Sequence, residues 1–232
     1  QKYKLMVAIF FILLLIVMNI RGTKESTLIL APIFGVFVIT HLFLILYGLG
    51  THVDTIIPLS HEVYSSFRYD LTTIGGFGIL LIFLPAYSLG GGTYTGIEAV
   101  SNGLQIMREP RVETGKRTMI YMATSLAFTA TGLFICYLLF RVSPVQGRTL
   151  NAVLADATFS RLPFGRSLAF ITIFSEGASL LVAAQAGFLD GPRIMANMAV
   201  DSWFPHRFSA LSERLTTHNG IVLMGIGAIF IL

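Results

Sequence analysis

A succession of apolar runs, each close to the length that crosses a bilayer, constrains this chain more than any other feature. The hydrocarbon core is about 30 Å thick, so a crossing helix needs roughly 20 apolar residues. Backbone inside lipid must satisfy its own hydrogen bonds, which leaves the helix as the form such runs take. The runs predict spans at about 4–20, 27–50, 69–107, 118–140, 165–190 and 219–232, with the third broken near 90–95. The expectation is an all-α membrane protein in a single transmembrane domain, with about six transmembrane helices in 1–232. Charged residues make up only 12% of the chain, about half the share of a soluble domain.

Composition excludes several classes. A secretory signal is a poor reading of the first run. Lys2 and Lys4 suit one, but no small-residue cleavage site follows and further apolar runs do. The one cysteine, Cys136, lies inside a span, which excludes an internal disulfide framework and a cysteine-rich metal site. The net charge of +4 belongs to loops and does not argue for nucleic acid. The chain starts at Gln1 and is still apolar at Leu232, so the natural protein is expected to extend beyond both ends.

Loop charge sets a predicted orientation. Short connections vote most reliably. Loops 21–26 and 105–117 fall on the same side and are dense in Arg and Lys, so they, with 191–218, are placed in the cytoplasm. The sequence NIRGTKES, from Asn19 to Ser26, reads as a tight polar turn in which Gly22 supplies the unusual backbone angle. Pro32 is read near the start of its span, where a missing N–H costs least. Residues 51–68 read as an outside loop, and 141–164 as a longer one with a short helix at the outer mouth. In 190–217, Phe204, Phe208 and Leu211 recur at helical spacing, which predicts a helix under the bundle.

The third span carries the chemistry. Leu71 to Leu84 runs into Pro85, then Gly90, Gly91 and Gly92, then Thr93, Tyr94, Thr95, Gly96, Ile97 and Glu98. Each glycine costs a helix roughly 1 kcal/mol relative to Ala. A helix break in lipid is tolerated only where it lines a cavity or is buried in protein. Transporters build substrate sites from such breaks: freed carbonyls hold cations and the half-helix ends supply dipoles. Glu98, Ser101, Asn102 and Gln105 share one helical face, and an acidic residue at that depth marks function by default. The competing reading makes the glycines a close-packing device. A phosphate loop is a weak reading, because the Lys-Ser/Thr ending and the preceding soluble strand are missing.

Other polar positions are weaker candidates. Glu176, Ser179, Ala183, Gly187 and Asp190 form one small polar stripe expected to face the protein interior. Glu176 and Asp190 are proton-path candidates, against the reading of a neutral, hydrogen-bonded buried acid. Gly187 and Gly191 match a close-packing spacing. Ser125, Thr129, Gly132 and Cys136 form a second stripe, read as helix packing. His41 is read as structural rather than as a proton relay. His61-Glu62 starts like a zinc-protease motif, but position 65 is Ser. No catalytic residue emerges, and no resident metal or cofactor is expected.

These residues also carry a resemblance. LLLIVMNIRGTKESTLILAPIFGVFVIT resembles the helix 4–5 region of amino acid–polyamine–organocation (APC) superfamily permeases, with its Asn-x-x-Gly turn. GTYTGIEAVSNGLQIMREPRVETGKRTM resembles helix 6 and the loop after it, and AAQAGFLDGPRIMANMAVDSWFPHRFSALSERLTTHNGIVLMG the helix 8–9 region. The wording TGIEAVSN followed by a Pro-Arg loop is most similar to the KUP/KimA-type potassium importers. The resemblance implies a LeuT-like fold of inverted repeats with helix 6 discontinuous, covered here from about helix 4 to helix 9. It implies that Thr95 and Glu98, beside Tyr94 and Gly96, contact the transported ion. Amino acid permeases of the superfamily often carry a Gly-x-Glu matching Gly96 and Glu98, so the motif serves two substrates. The expected activity is secondary active import of a small cation, potassium first, coupled to protons by alternating access. The alternative is an amino acid or amine permease. A membrane enzyme or sensor on this scaffold would need a catalytic pair or soluble domain, and neither is visible in the sequence. Expected partners are the cation or amino acid, protons, membrane lipid and a second copy in a homodimer, in a bacterial-type plasma membrane.

Overall fold

The computed structural model describes residues 2–91, 100–101, 103–104, 107–210 and 217–232. The described secondary structure is helical: α1 (Lys2–Arg21), α2 (Thr23–Thr51), α3 (Val53–Thr73), α4 (Gly75–Gly91), α5 (Arg111–Leu139), α6 (Leu150–Phe159), α7 (Gly165–Val200), a 3₁₀ turn (His206–Phe208) and α8 (His218–Ile231). By length and composition, α1, α2, α5 and α7 each carry a stretch able to cross a membrane, and α3 with α4 forms a bent pair that could supply a fifth crossing. α8 is a shorter apolar helix of 14 residues.

Several expectations are met and several are corrected. Gly22 alone separates α1 from α2, at φ 145°, where a side chain is strained. Asn19, however, lies inside α1 rather than in the turn. Because α2 starts at Thr23, Pro32 lies in its interior rather than near its start, and costs the helix one hydrogen bond. Residues 51–68 form helix rather than an irregular loop, because α3 carries an amphipathic rather than an apolar repeat. The chain turns by 115° between α3 and α4. Gly75, at φ 73°, takes that corner. α7 continues to Val200, ten residues past its predicted span. The predicted helix through Phe204 and Phe208 is only a 3₁₀ turn preceded by Pro205, and Leu211 lies outside the described residues. The short helix expected at 141–164 is α6, capped by the Thr149 hydroxyl accepting from the Ala152 N–H.

The chain divides into two compact units, one of residues 1–38, 102–106 and 174–232, the other of 39–101 and 107–173. In the first, Leu15 of α1, Leu30 of α2, Phe188 of α7 and Ile221 of α8 form the core. Glycines bring these helices close. A Cβ on Gly225 would stand 2.2 Å from Ile16 Cδ1, and one on Gly191 2.7 Å from Met224 Cε. Only the second glycine of the Gly187-x-x-x-Gly191 pattern makes such a contact, since Gly187 has open space.

In the second unit, Leu44 and Ile45 of α2, Cys136 of α5, Leu154, Ala155 and Phe159 of α6, and Ala169 of α7 form the core. The packing reading of the α5 stripe holds at its end: Gly132 and Cys136 are buried, while Ser125 is exposed. A Cβ on Gly132 would lie 2.6 Å from Ile45 Cγ2, and Ile45 is 1% exposed, so its methyl has no free space to take. Gly132→Ala is therefore expected to destabilise by about 1–3 kcal/mol through overpacking. Adding Ile45→Ala should restore part of the loss. Thermal unfolding of the full-length protein in detergent measures both, and equal stability of Gly132→Ala and wild type would contradict the packing.

Candidate functional site

The segment expected to hold the substrate is bounded by described helix on both sides. α4 ends at Gly91, so Gly90 and Gly91 are its last two residues. Helix is present again at Val100 and Ser101, with Val100 buried and Ser101 exposed. Gly92, Thr93, Tyr94, Thr95, Gly96 and Glu98, together with Asn102 and Gln105, lie outside the described residues. The sharp bend among the described residues is the one at Gly75, sixteen positions before the predicted break at Gly91.

The acidic residues of α7 are half-buried. Glu176 and Asp190 lie on one side of that helix but about 21 Å apart along it, at 1.5 Å per residue. Direct proton transfer between them is thus out of reach, and a path using both needs intermediate groups. The expected interior stripe is offset. Ala183 and Gly187 are exposed, and the buried positions are Thr172, Ser175, Gln185 and Phe188. The spacing of small residues marks a close-packing face but does not say which neighbour fills it.

The buried polar feature that the sequence reading missed joins α1 to α7. The Asn19 amide donates from Nδ2 to Gln185 Oε1 at 2.8 Å, and Gln185 Nε2 donates back to Asn19 Oδ1 at 2.8 Å. Asn19 also donates to the Leu15 carbonyl at 2.8 Å. Both amides are almost fully buried, at 0% and 4% exposure. Amides have matching donors and acceptors, so a face-to-face pair satisfies both without a charge. The signal was present: Asn19 is a lone amide in an apolar run, and Gln185 another at mid-span. Asn19→Leu or Gln185→Leu leaves one buried amide without its partner, at about 1–3 kcal/mol. The double variant should cost less than the sum of the singles by roughly 1 kcal/mol. Strict additivity in a thermal-stability cycle would contradict the pair.

His41 is buried, with its Nδ1 3.4 Å from the Thr40 hydroxyl, in keeping with a structural role. Two of the basic residues in 105–117 make local pairs: Arg111 meets Glu109 at 2.8 Å and Arg117 meets Glu113 at 2.5 Å. Those pairs lie at the start of α5, where an acidic residue in the first turn complements the helix dipole. Glu62, from the false zinc motif, pairs instead with Arg141 at 3.1 Å.

Comparison with known proteins adds an independent line. The amino acid permease family model matches residues 1–232. The potassium transporter KimA of Bacillus subtilis (strain 168) is 30% identical over 234 residues. The match takes in 100% of this chain but 37% of that protein, so the chain spans little more than a third of the relative's length.

Proposed function

This chain belongs to the amino acid permease family, and from that premise we propose that the protein carrying it is a secondary active transporter importing a small cation, potassium first, coupled to protons by alternating access. One observation carries this reading: a helix that ends at Gly91 is followed in the sequence by Gly92 and then by Thr95 and Glu98, within an apolar run. Thr95 and Glu98 contact the ion, with Tyr94 and Gly96 beside them. Glycine backbone at the break offers carbonyls to the cation and absorbs the change of shape. Glu98 balances the charge of the bound ion; a proton carried with the ion on the proton path passes to Glu98 once the site has opened inward and weakens that hold, so ion and proton leave on the same side. Glu176 and Asp190 serve the proton path through intermediate groups. The name of the relative, a potassium transporter, supports the choice of ion. The cytoplasmic placement of 21–26, 105–117 and 191–218, the bacterial-type plasma membrane and the homodimer belong to the same proposal.

The family's own description favours a second reading, import of an amino acid or amine through the same break. The two readings separate in vesicles containing the full-length protein. Rubidium tracer uptake driven by an inward proton gradient, displaced by potassium and not by an amino acid mixture, supports the cation. Displacement by amino acids alone would overturn it in favour of the second reading.

A further inference from the structure

An open cleft of about 580 Å³, lined mostly by exposed residues, lies between α3 and the end of α5. Leu59, Val63 and Phe67 of α3 and Leu138 of α5 give it apolar walls. Its charged residues are of both signs: Glu62 and Asp70 from α3, and Arg141 just past the end of α5. Glu62 and Arg141 are paired at 3.1 Å across it. α5 contains a stretch able to cross the membrane and ends at Leu139, so the charged groups stand where that crossing gives way to the interface. α3 buries none of its own residues and turns 115° from α4, an apolar helix.

Arg141 stands where its backbone disfavours it. The Val142 N–H bonds the Tyr137 carbonyl and the Arg141 N–H bonds the Leu138 carbonyl. That pattern closes a helix with a left-handed residue, a position usually filled by glycine. Arg141 holds it at φ 48°. An arginine kept at a glycine position points to a use for its side chain rather than its backbone.

We propose that this cleft is a binding site for an amine-bearing zwitterionic phospholipid. The phosphate meets the Arg141 guanidinium, which suits phosphate oxygens in a two-pronged way. The ammonium group meets Glu62 and Asp70. The first part of an acyl chain lies on Leu59, Val63 and Phe67. An anionic lipid lacks the ammonium and faces two carboxylates, so it binds more weakly. The site depends on the membrane setting and not on which substrate is carried.

The test is native mass spectrometry of the full-length protein titrated with phosphatidylethanolamine and, separately, phosphatidylglycerol. The wild type is expected to retain phosphatidylethanolamine at least fivefold better, a ratio set by charge matching. Arg141→Gly suits the left-handed backbone, so it should fold at least as well as wild type and yet bind phosphatidylethanolamine at least fivefold more weakly, because the phosphate loses its guanidinium. Glu62→Gln with Asp70→Asn should bring the two lipids level. Unchanged phosphatidylethanolamine binding in Arg141→Gly, or equal binding of both lipids by the wild type, overturns the proposal. A second measurement asks whether another part of the chain occupies the space. Ser66→Cys should react with a lipid-soluble maleimide and be protected by phosphatidylethanolamine. No reaction with or without lipid overturns the proposal, because chain then fills the cleft.

Discussion

Glu98→Gln in the full-length protein should abolish cation uptake and its response to pH together. The amide is nearly the shape of the acid but carries no charge at any pH. If Glu98 is the carboxylate that faces a dehydrated cation, its loss leaves that cation without a counter-charge. Removing one partner of a buried charge pair costs about 2–5 kcal/mol. At 1.4 kcal/mol per tenfold, uptake should fall by at least about thirtyfold. The pH profile carries the sharper information. A residue that only shapes the site would lower the rate at every pH and leave the profile in place. A residue that exchanges the proton would flatten it. Glu98→Asp keeps the charge on a shorter arm and should retain part of the activity with its pH response. Correct insertion, checked by surface labelling, separates loss of function from loss of protein. A Glu98→Gln variant with wild-type uptake and pH dependence would remove Glu98 from the mechanism.

The second large effect concerns folding. Gly165→Ala should destabilise the protein by at least about 3 kcal/mol, the upper end for overpacking. A Cβ at Gly165 would stand 1.9 Å from the carbonyl oxygen of Phe159 and 2.8 Å from its carbonyl carbon. Gly132 differs, because there the obstacle is a side chain. A backbone carbonyl has no rotamer to change. This one is also held in place, accepting the Leu162 N–H at 2.9 Å, while Gly165 donates to the Leu162 carbonyl at 3.0 Å. Phe164, between them, already sits at φ 62°. Relief requires opening the turn from α6 to α7. That would draw Phe159, 1% exposed and stacked on Phe43 with ring centres 5.8 Å apart, out of its core. Gly35→Ala is the control, because no atom lies within 4 Å of its added carbon. Glycine in a helix is worse than alanine by about 1 kcal/mol, so the control should be neutral or stabilising. Thermal unfolding in detergent reads both variants. Equal unfolding midpoints for Gly165→Ala and wild type would show that the turn is not built as described.

Legibility in the sequence followed the strength of the physical constraint. α1, α2, α5 and α7 were readable because lipid leaves a long apolar run one solution. The turn at Gly22 was readable because a short polar break between two such runs needs a residue free to adopt positive φ. α3 was not, because attention to apolar runs passes over a helix whose polar and apolar residues alternate by face. The corner at Gly75 was hidden for a related reason. Gly75 and Gly76 lie in an apolar stretch, while the conspicuous glycines come later, at Gly90 to Gly92. Asn19 was read as turn because amides favour turns, and its partner is 166 residues away, a relation no local pattern carries. The boundary at Val200 was missed because the apolar run ends at Asp190, whereas the helix itself continues through Pro192, which a membrane helix tolerates where neighbours pack against it. Gly220 supplies that neighbour, since a Cβ on it would lie 2.8 Å from Pro192 Cβ. The candidate site rests on Thr95, Glu98 and the glycines beside them, read from chemistry and resemblance.

The most direct test of the account is rescue of growth at limiting potassium. Cells lacking their own high-affinity potassium importers receive the full-length protein, wild type or Glu98→Gln, with membrane levels matched. The account predicts growth with the wild type and none with Glu98→Gln. Failure of the wild type to support growth while present in the membrane would contradict potassium import, and growth with Glu98→Gln would contradict the site.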